Sequence, residues 1–130
     1  PGDRCYCGQN GCIETFLSLT RRYFDQTGER YDAVDIVERA TVGDTAAEIS
    51  LKLYENQLAR ALASLINILD PDIIVLGGGM SNVGRLYDNV PRLWQQWVFT
   101  DHVDTRLVPP KHGDSSGVRG AARLWSERSK

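Results

Sequence analysis

The stretch Asp70-Pro71-Asp72-Ile73-Ile74-Val75-Leu76-Gly77-Gly78-Gly79 decides the fold of this chain. Residues 73–76 form an unbroken, largely β-branched run with no alternation of apolar and polar side chains. A strand of that kind is buried on both faces, as in a parallel sheet. Three glycines end it, and Asp70-Pro71 closes the element before it, because the residue ahead of a proline is pushed out of the helical region. Upstream, Leu51, Tyr54, Leu58, Ala61, Leu62, Leu65 and Leu69 trace one face of a long helix. Thr45-Ala46-Ala47-Glu48 ahead of it reads as a capping box.

Downstream, Val83, Leu86, Val90, Leu93, Trp94 and Trp97 trace a second helical face, in which Pro91 should kink the helix or start a new one. Thr105 to Val108 reads as a short second strand stopped by Pro109-Pro110. Asp114 or Ser115 can cap a last helix with small residues at Gly117, Gly120 and Ala121 and bulky ones at Leu124 and Trp125. At the other end, Ile13, Phe16 and Leu17 suit a helix running irregularly toward Phe24 and ending near Gly28. A short helix over 33–40 follows, with Asp32 as its cap. The order helix, strand, helix, strand, helix implies an α/β fold with parallel strands joined by right-handed crossovers. Two strands are too few for an independent sheet. Further strands are therefore expected in sequence upstream of Pro1, which makes the chain read as a fragment or a processed product.

With 130 residues, the chain can bury about two-thirds of its unfolded surface in one domain. Its 42% apolar and 25% charged residues are ordinary for a globular protein, and a net charge of −2 gives no footprint for nucleic acid or membrane. The longest apolar run is too short to span a bilayer. Three cysteines crowd between positions 5 and 12, where a secreted scaffold would spread an even number along the chain. A reducing, cytoplasmic setting is expected.

Cys5-Tyr6-Cys7-Gly8-Gln9-Asn10-Gly11-Cys12 carries the most specialised chemistry. Three thiolates can converge on one tetrahedral zinc only if the backbone turns sharply, and Gly8 and Asn10-Gly11 tolerate such turns. The alternatives are three reduced thiols in a loop or a Cys5–Cys12 disulfide. His102 and His112, the two histidines, lie far along the chain and read as surface-loop residues, so a fourth ligand is expected upstream. Glu14 suits the first turn of a helix, where the dipole favours a carboxylate, or a contact to a polar ligand. Gly77-Gly78-Gly79 follows a buried strand, at the end where open α/β sheets bind ligands. A bare triple glycine is common at strand-to-helix turns, and the phosphate-cradling G-x-x-x-x-G-K-[ST] does not occur in the chain. Ser115-Ser116 is accounted for by capping, so no nucleophile is assigned.

Cys5-x-Cys7-Gly8-x-x-Gly11-Cys12-x-Glu14 resembles the zinc-loop signature of the ROK family of repressors, open reading frames and kinases. The likeness continues through residues 67–82 and 112–122, in wording most similar to the fructokinase/mannokinase branch. The resemblance implies that residues 1–130 are the carboxy-terminal part of an actin-like ATPase (ribonuclease H-like) fold, with a zinc loop over 1–14 and the helices and strands of the carboxy-terminal lobe over 15–130. It implies that Cys5, Cys7 and Cys12 ligate a structural zinc with an upstream histidine, that Glu14 hydrogen-bonds sugar hydroxyls, and that Gly77, Gly78 and Gly79 contact the adenosine of ATP. The helix from Gly117 to Ala122 matches the closing helix of that fold, near the hinge between its lobes. Where the family usually has a glycine after the serine at position 18, this chain has Leu19.

The whole protein would then transfer the γ-phosphate of ATP-Mg to a hexose hydroxyl. The family's phosphate loop, catalytic aspartate and Glu/His sugar motif fall outside this chain, so no catalytic residue is assigned in it and the isolated chain is expected to be inactive. A homo-oligomer is expected, as is self-association through an unpaired strand edge. The alternative is the effector-binding part of a ROK transcriptional repressor, which would bring nucleic acid in as a partner.

Overall fold

The computed structural model of the chain describes residues 2–113 and 115–126. Its centre is the helix α4, Thr45–Leu69. The sequence spacing gives it one apolar face, and Leu51, Tyr54, Leu58, Leu62 and Ile66 on that face are buried. Two shorter helices, α2 (Leu19–Thr27) and α3 (Ala33–Thr41), pack against it and bring Tyr23 and Ile36 into the core. The helix α5 (Arg85–Trp94) lies along α4 as well and contributes Leu86, Val90 and Trp94.

α4 is capped by Asp44, one residue ahead of the expected Thr45. The Ala47 amide donates to Asp44 Oδ1 at 3.0 Å, while Oδ2 accepts from Tyr23 Oη at 2.9 Å and Arg39 Nε at 3.1 Å. One carboxylate thus starts α4 and binds both α2 and α3 to it. The Ala47 amide, ahead of Tyr23 and Arg39, holds Asp44 below the usual carboxylate range. Arg39 also lies 4.2 Å over the Tyr31 ring, a cation–π contact from α3 to the loop that precedes it.

The expected helix from Ile13 to Gly28 is two helices, α1 (Ile13–Phe16) and α2. They part at Leu17-Ser18 because Ser18 Oγ accepts from the Arg21 amide at 3.4 Å and so caps α2. Leu19 is buried in the core, and Gly28 ends α2 at φ 73°. Asp32 caps α3 through the Asp35 amide at 2.9 Å, as its position predicts.

β1 (Ile73–Val75) and β2 (Arg106–Val108) pair in parallel, with Ile73 opposite Arg106 and Val75 opposite Val108. Thr105 Oγ1 donates to the Pro71 carbonyl at 2.6 Å and fixes the entry of both strands. Asn67 holds the intervening loop from both ends of its amide, to Trp97 O at 2.9 Å and from the Phe99 amide at 3.0 Å. The strand differs from expectation in burial: Ile73 is 45% and Val75 57% exposed. Their outward face and the second edge of β1 are uncovered among the described residues, because β2 is the single neighbour of β1 there. Pro91 sits inside α5 rather than at its start, and α5 ends three residues later. The last helix, α6 (Ser116–Ser126), has exposed side chains from Gly117 to Arg123, so its small-residue face is not packed. Asp114 and the side chains of Leu124 and Trp125 lie outside the described ones. No helix among the described residues is long and apolar enough to cross a membrane.

α4 and α5 are joined by an ionic cluster built around one buried carboxylate, Glu55. Arg85, the first residue of α5, grips Glu48 with Nη1 and Nη2 at 2.7 and 3.0 Å and Glu55 with Nε at 2.6 Å; Asn89 adds a bond to Glu55 at 3.0 Å. Glu55 is only 3% exposed, so its charge depends on these partners. Arg85 in turn holds the Glu48 carboxyl below its ordinary range. Removing one partner of such a cluster is expected to cost about 3–5 kcal/mol. Arg85→Met should show that loss in urea unfolding at neutral pH, while Glu55→Leu combined with Arg85→Met should recover most of it. Glu48, with a depressed folded pKa, contributes stability above about pH 4.3 that is lost as pH falls through the folded value. Glu48→Gln should flatten that acid limb, and an unchanged limb would mean that the pair contributes nothing.

Candidate metal and ligand sites

The cysteine loop is closed by its own backbone before any metal is considered. An antiparallel bridge joins Arg4 to Asn10, the Cys5 amide donates to Gln9 O at 2.8 Å, and the Gly8 amide donates to Cys5 O at 3.0 Å. Gly8 and Gly11 occupy the left-handed region at φ 87° and 74°, which side chains disfavour. The result is that the sulfurs of Cys5, Cys7 and Cys12 all lie within 4.8 Å of one another, with Cys7 and Cys12 at 3.5 Å. Thiolates on a tetrahedral zinc at about 2.3 Å are separated by about 3.8 Å, so the three sulfurs fit that geometry with small adjustments. All three are free thiols, which sets aside the alternative of a Cys5–Cys12 disulfide in this structure. The Gln9 backbone amide, followed by the Cys12 thiol, holds Cys7 below the ordinary thiol range. The hydrogen bond that it shares with Cys7 pushes Cys12 up to about 11. Among the described residues these cysteines are the one group placed to share a metal, and neither histidine joins them. His102 is exposed and pairs instead with Asp104 at 2.9 Å.

The loop is anchored to the helices on its far side. Asp3 pairs with Arg21 of α2 at 3.2 Å, and the Thr15 amide and hydroxyl both donate to Cys12 O, at 2.9 and 2.7 Å. With its amide turned so that both neighbours are satisfied, Gln57 of α4 donates to the Phe16 carbonyl and accepts from Arg22 Nη2 at 2.6 Å. Cys12 therefore passes directly into α1, which carries Glu14 in its first turn. The Glu14 side chain is exposed, and no partner holds its carboxylate among the described residues. Its place in the first turn of α1 still lets the helix dipole favour a carboxylate there.

The glycine turn lies at the carboxyl end of β1. Gly78, at φ 74° and ψ −175°, has a conformation open to glycine, and its carbonyl accepts from both the amide and the hydroxyl of Ser81, at 3.0 and 2.7 Å. Ser81 is buried, and its own carbonyl accepts from Tyr87 Oη of α5 at 2.6 Å. A Cβ added at Gly77, Gly78 or Gly79 would meet nothing within 4 Å, so a flat group can approach the backbone. Sequence reading missed the parts that hold this turn, namely Ser81, Tyr87 and the Arg85 cluster. Glu48 and Glu55, seven residues apart on one helix face, were the signal available for the cluster.

Comparison with known proteins covers nearly the whole chain. The model of the ROK family matches residues 1–128. The N-acetyl-D-glucosamine kinase of Pasteurella multocida is 37% identical over 124 residues, which are 93% of this chain and 41% of that protein. The enzyme of the same name from Aliivibrio salmonicida is 36% identical over 92% of the chain and 41% of its own length. The chain thus spans about two-fifths of the curated relatives that it matches. Among solved structures, a ROK family glucokinase from Streptomyces griseus, in complex with glucose and AMPPNP, superposes with a TM-score of 0.80 at 26% identity. It covers 95% of this chain and 47% of that one. A ROK family transcriptional regulator, a homolog of the E. coli MLC protein, superposes with a TM-score of 0.66 at 27% identity over 83% of this chain and 31% of its own.

The three glycines should differ in their tolerance of a side chain. Gly78→Ala places a Cβ in a strained backbone region and is expected to cost about 1–3 kcal/mol in urea unfolding. Gly77→Ala and Gly79→Ala meet open space without a positive φ and should change stability by less than about 1 kcal/mol. Equal losses at all three positions would contradict the turn geometry.

Proposed function

Because the chain belongs to the ROK family, we propose that it is the carboxy-terminal part of an ATP-dependent hexose kinase. The observation that carries the reading is the alignment with sugar kinases over more than nine-tenths of the chain. In the actin-like ATPase fold, further strands would add at the open edge of β1, and helices would cover the exposed face of Ile73 and Val75. Cys5, Cys7 and Cys12 would hold a structural zinc, which fixes the loop ahead of α1. Glu14 would then accept hydrogen bonds from sugar hydroxyls, since its carboxylate is exposed and without a partner among the described residues. Gly77, Gly78 and Gly79 would let the adenosine of ATP lie against the backbone. The phosphates, Mg and the attacking hydroxyl would be aligned by residues elsewhere in the whole protein, because phosphoryl transfer depends on positioning and charge stabilisation.

Four sugars stand to be compared. N-acetyl-D-glucosamine and glucose come from the names of the relatives. Fructose or mannose comes from the wording of residues 67–82 and 112–122. A second reading, the effector-binding part of a ROK repressor, is favoured by the likeness to the transcriptional regulator. Sugar-dependent ADP formation by the whole protein tests the kinase reading; its absence, with sequence-specific DNA binding instead, would favour the repressor.

Two further outcomes are expected. Glu14→Gln in the whole protein should raise the sugar KM about ten- to a hundredfold and leave the ATP KM nearly unchanged, because a charge-assisted hydrogen bond contributes about 1.5–3 kcal/mol. Unchanged kinetics would remove Glu14 from the sugar site. Elemental analysis of protein purified without chelator should find one zinc per chain. Less than about a tenth of an equivalent, where structural zinc sites normally bind far below micromolar metal, would overturn the zinc assignment.

A further inference from the structure

We propose that Cys7 and Cys12 form a redox pair that a hydroperoxide closes into a disulfide, making the cysteine loop an oxidation-sensitive element as well as a set of metal ligands. The two sulfurs stand 3.5 Å apart. A disulfide needs about 2.05 Å, so closure asks the two sulfurs to approach by about 1.5 Å. The three thiols differ in access. Cys7 is exposed, Cys12 is half-buried beside it, and Cys5 is buried, with its amide bonded to Gln9 O at 2.8 Å and its carbonyl to the Gly8 amide at 3.0 Å. A small oxidant therefore reaches Cys7 first, Cys12 is the thiol in reach to resolve it, and Cys5 is left reduced. Gly8, next to Cys7 and at φ 87°, has no Cβ to resist the adjustment, and a Cβ there would meet nothing within 4 Å.

The chemistry balances without a further reactant. The Cys7 thiolate attacks one peroxide oxygen, forming an S–O bond and breaking O–O, and the alkoxide leaves as the alcohol after taking a proton from water. The Cys12 sulfur then attacks the Cys7 sulfur, forming S–S and breaking S–O, and the departing hydroxide takes the Cys12 proton as water. Two thiols lose two electrons, and the hydroperoxide gains them. Because metal binding needs thiolates, closure removes two of the three sulfurs from any bound metal. It also pulls on Cys12, the residue that caps α1 and precedes Glu14 by two positions. The metal consequence rests on the zinc reading above; the pairing of Cys7 with Cys12 does not.

The test is to treat the reduced protein, freed of reductant, with a small excess of hydrogen peroxide. Free thiols should fall from the three present in the structure to one. Tandem mass spectrometry after alkylation should place the alkyl group on Cys5 and the crosslink between Cys7 and Cys12. Disulfide yield should drop at least about tenfold in Cys7→Ser and in Cys12→Ser and change less than about twofold in Cys5→Ser. The Cys12→Ser protein should instead accumulate a sulfenic acid at Cys7 that dimedone traps. A chromogenic chelator in the same reaction should report zinc release in step with closure. A crosslink that includes Cys5, sulfinic acid at Cys7 without a crosslink, or a disulfide-bearing protein that keeps its zinc would overturn the proposal. Protein that is metal-free from the start yet closes the Cys7–Cys12 bond would support the pair and sink the zinc reading, so the two failures are distinguishable.

Discussion

Burial of one face of the Thr45–Leu69 helix is the constraint from which the rest of the arrangement follows. Leu51, Leu58, Leu62 and Ile66 can leave water only if other helices cover them, and α2, α3 and α5 do so. Hydrophobic burial is not directional, so it leaves open how far each helix slides along α4. The polar groups at the rim settle that. Asp44 binds α2 and α3 through Tyr23 and Arg39. Arg85 binds α5 through Glu48 and Glu55, which sit two helical turns apart on one face. A bidentate guanidinium–carboxylate contact has a narrow geometry, and a slip of one residue would break it and strand Glu55 without its cation.

Both candidate sites are loops hung on this scaffold, which is the usual way for mobile chain segments to be given a fixed position. The cysteine loop reaches α2 through Asp3 and Arg21 and passes into α1 at Cys12; α1 is tied to α4 through Gln57. The glycine turn is tied to α5 through Ser81 and Tyr87, and α5 to α4 through Arg85. The two sites therefore share α4 as their common support. A perturbation of Arg85 acts on the glycine turn through its second anchor, while the cysteine loop keeps its own.

The open face of β1 follows from the same logic applied in reverse. A parallel pair needs cover on both faces. α5 packs against β2 on the side of Leu107, but Ile73 and Val75 look outward with nothing over them among the described residues. The strand has the composition of a central strand and the environment of an edge. That contrast is what a chain spanning about two-fifths of its relatives would present if the remaining strands come from elsewhere in the protein.

What the sequence determined by itself was local in origin. The three- and four-residue spacing of Leu51 to Leu69 specified α4, the apolar run at residues 73–76 specified a strand in a parallel pair, and the glycines at 8 and 11 among three cysteines specified a loop that gathers sulfurs. Each of these depends on neighbours within a few residues, so spacing suffices to read it. Tertiary structure alone decided the rest. Asp44, which caps α4 locally through the Ala47 amide, was given its second role by Tyr23, twenty-one residues away, which bonds its other oxygen. Glu48 left the expected capping box because Arg85, thirty-seven residues on, offers it two charged bonds in place of one backbone amide. α6 left its small-residue face exposed among the described residues. In each case a side chain could satisfy its hydrogen bonds or bury its surface in more than one way, and the choice belonged to a partner, or to the lack of cover, that no local spacing records.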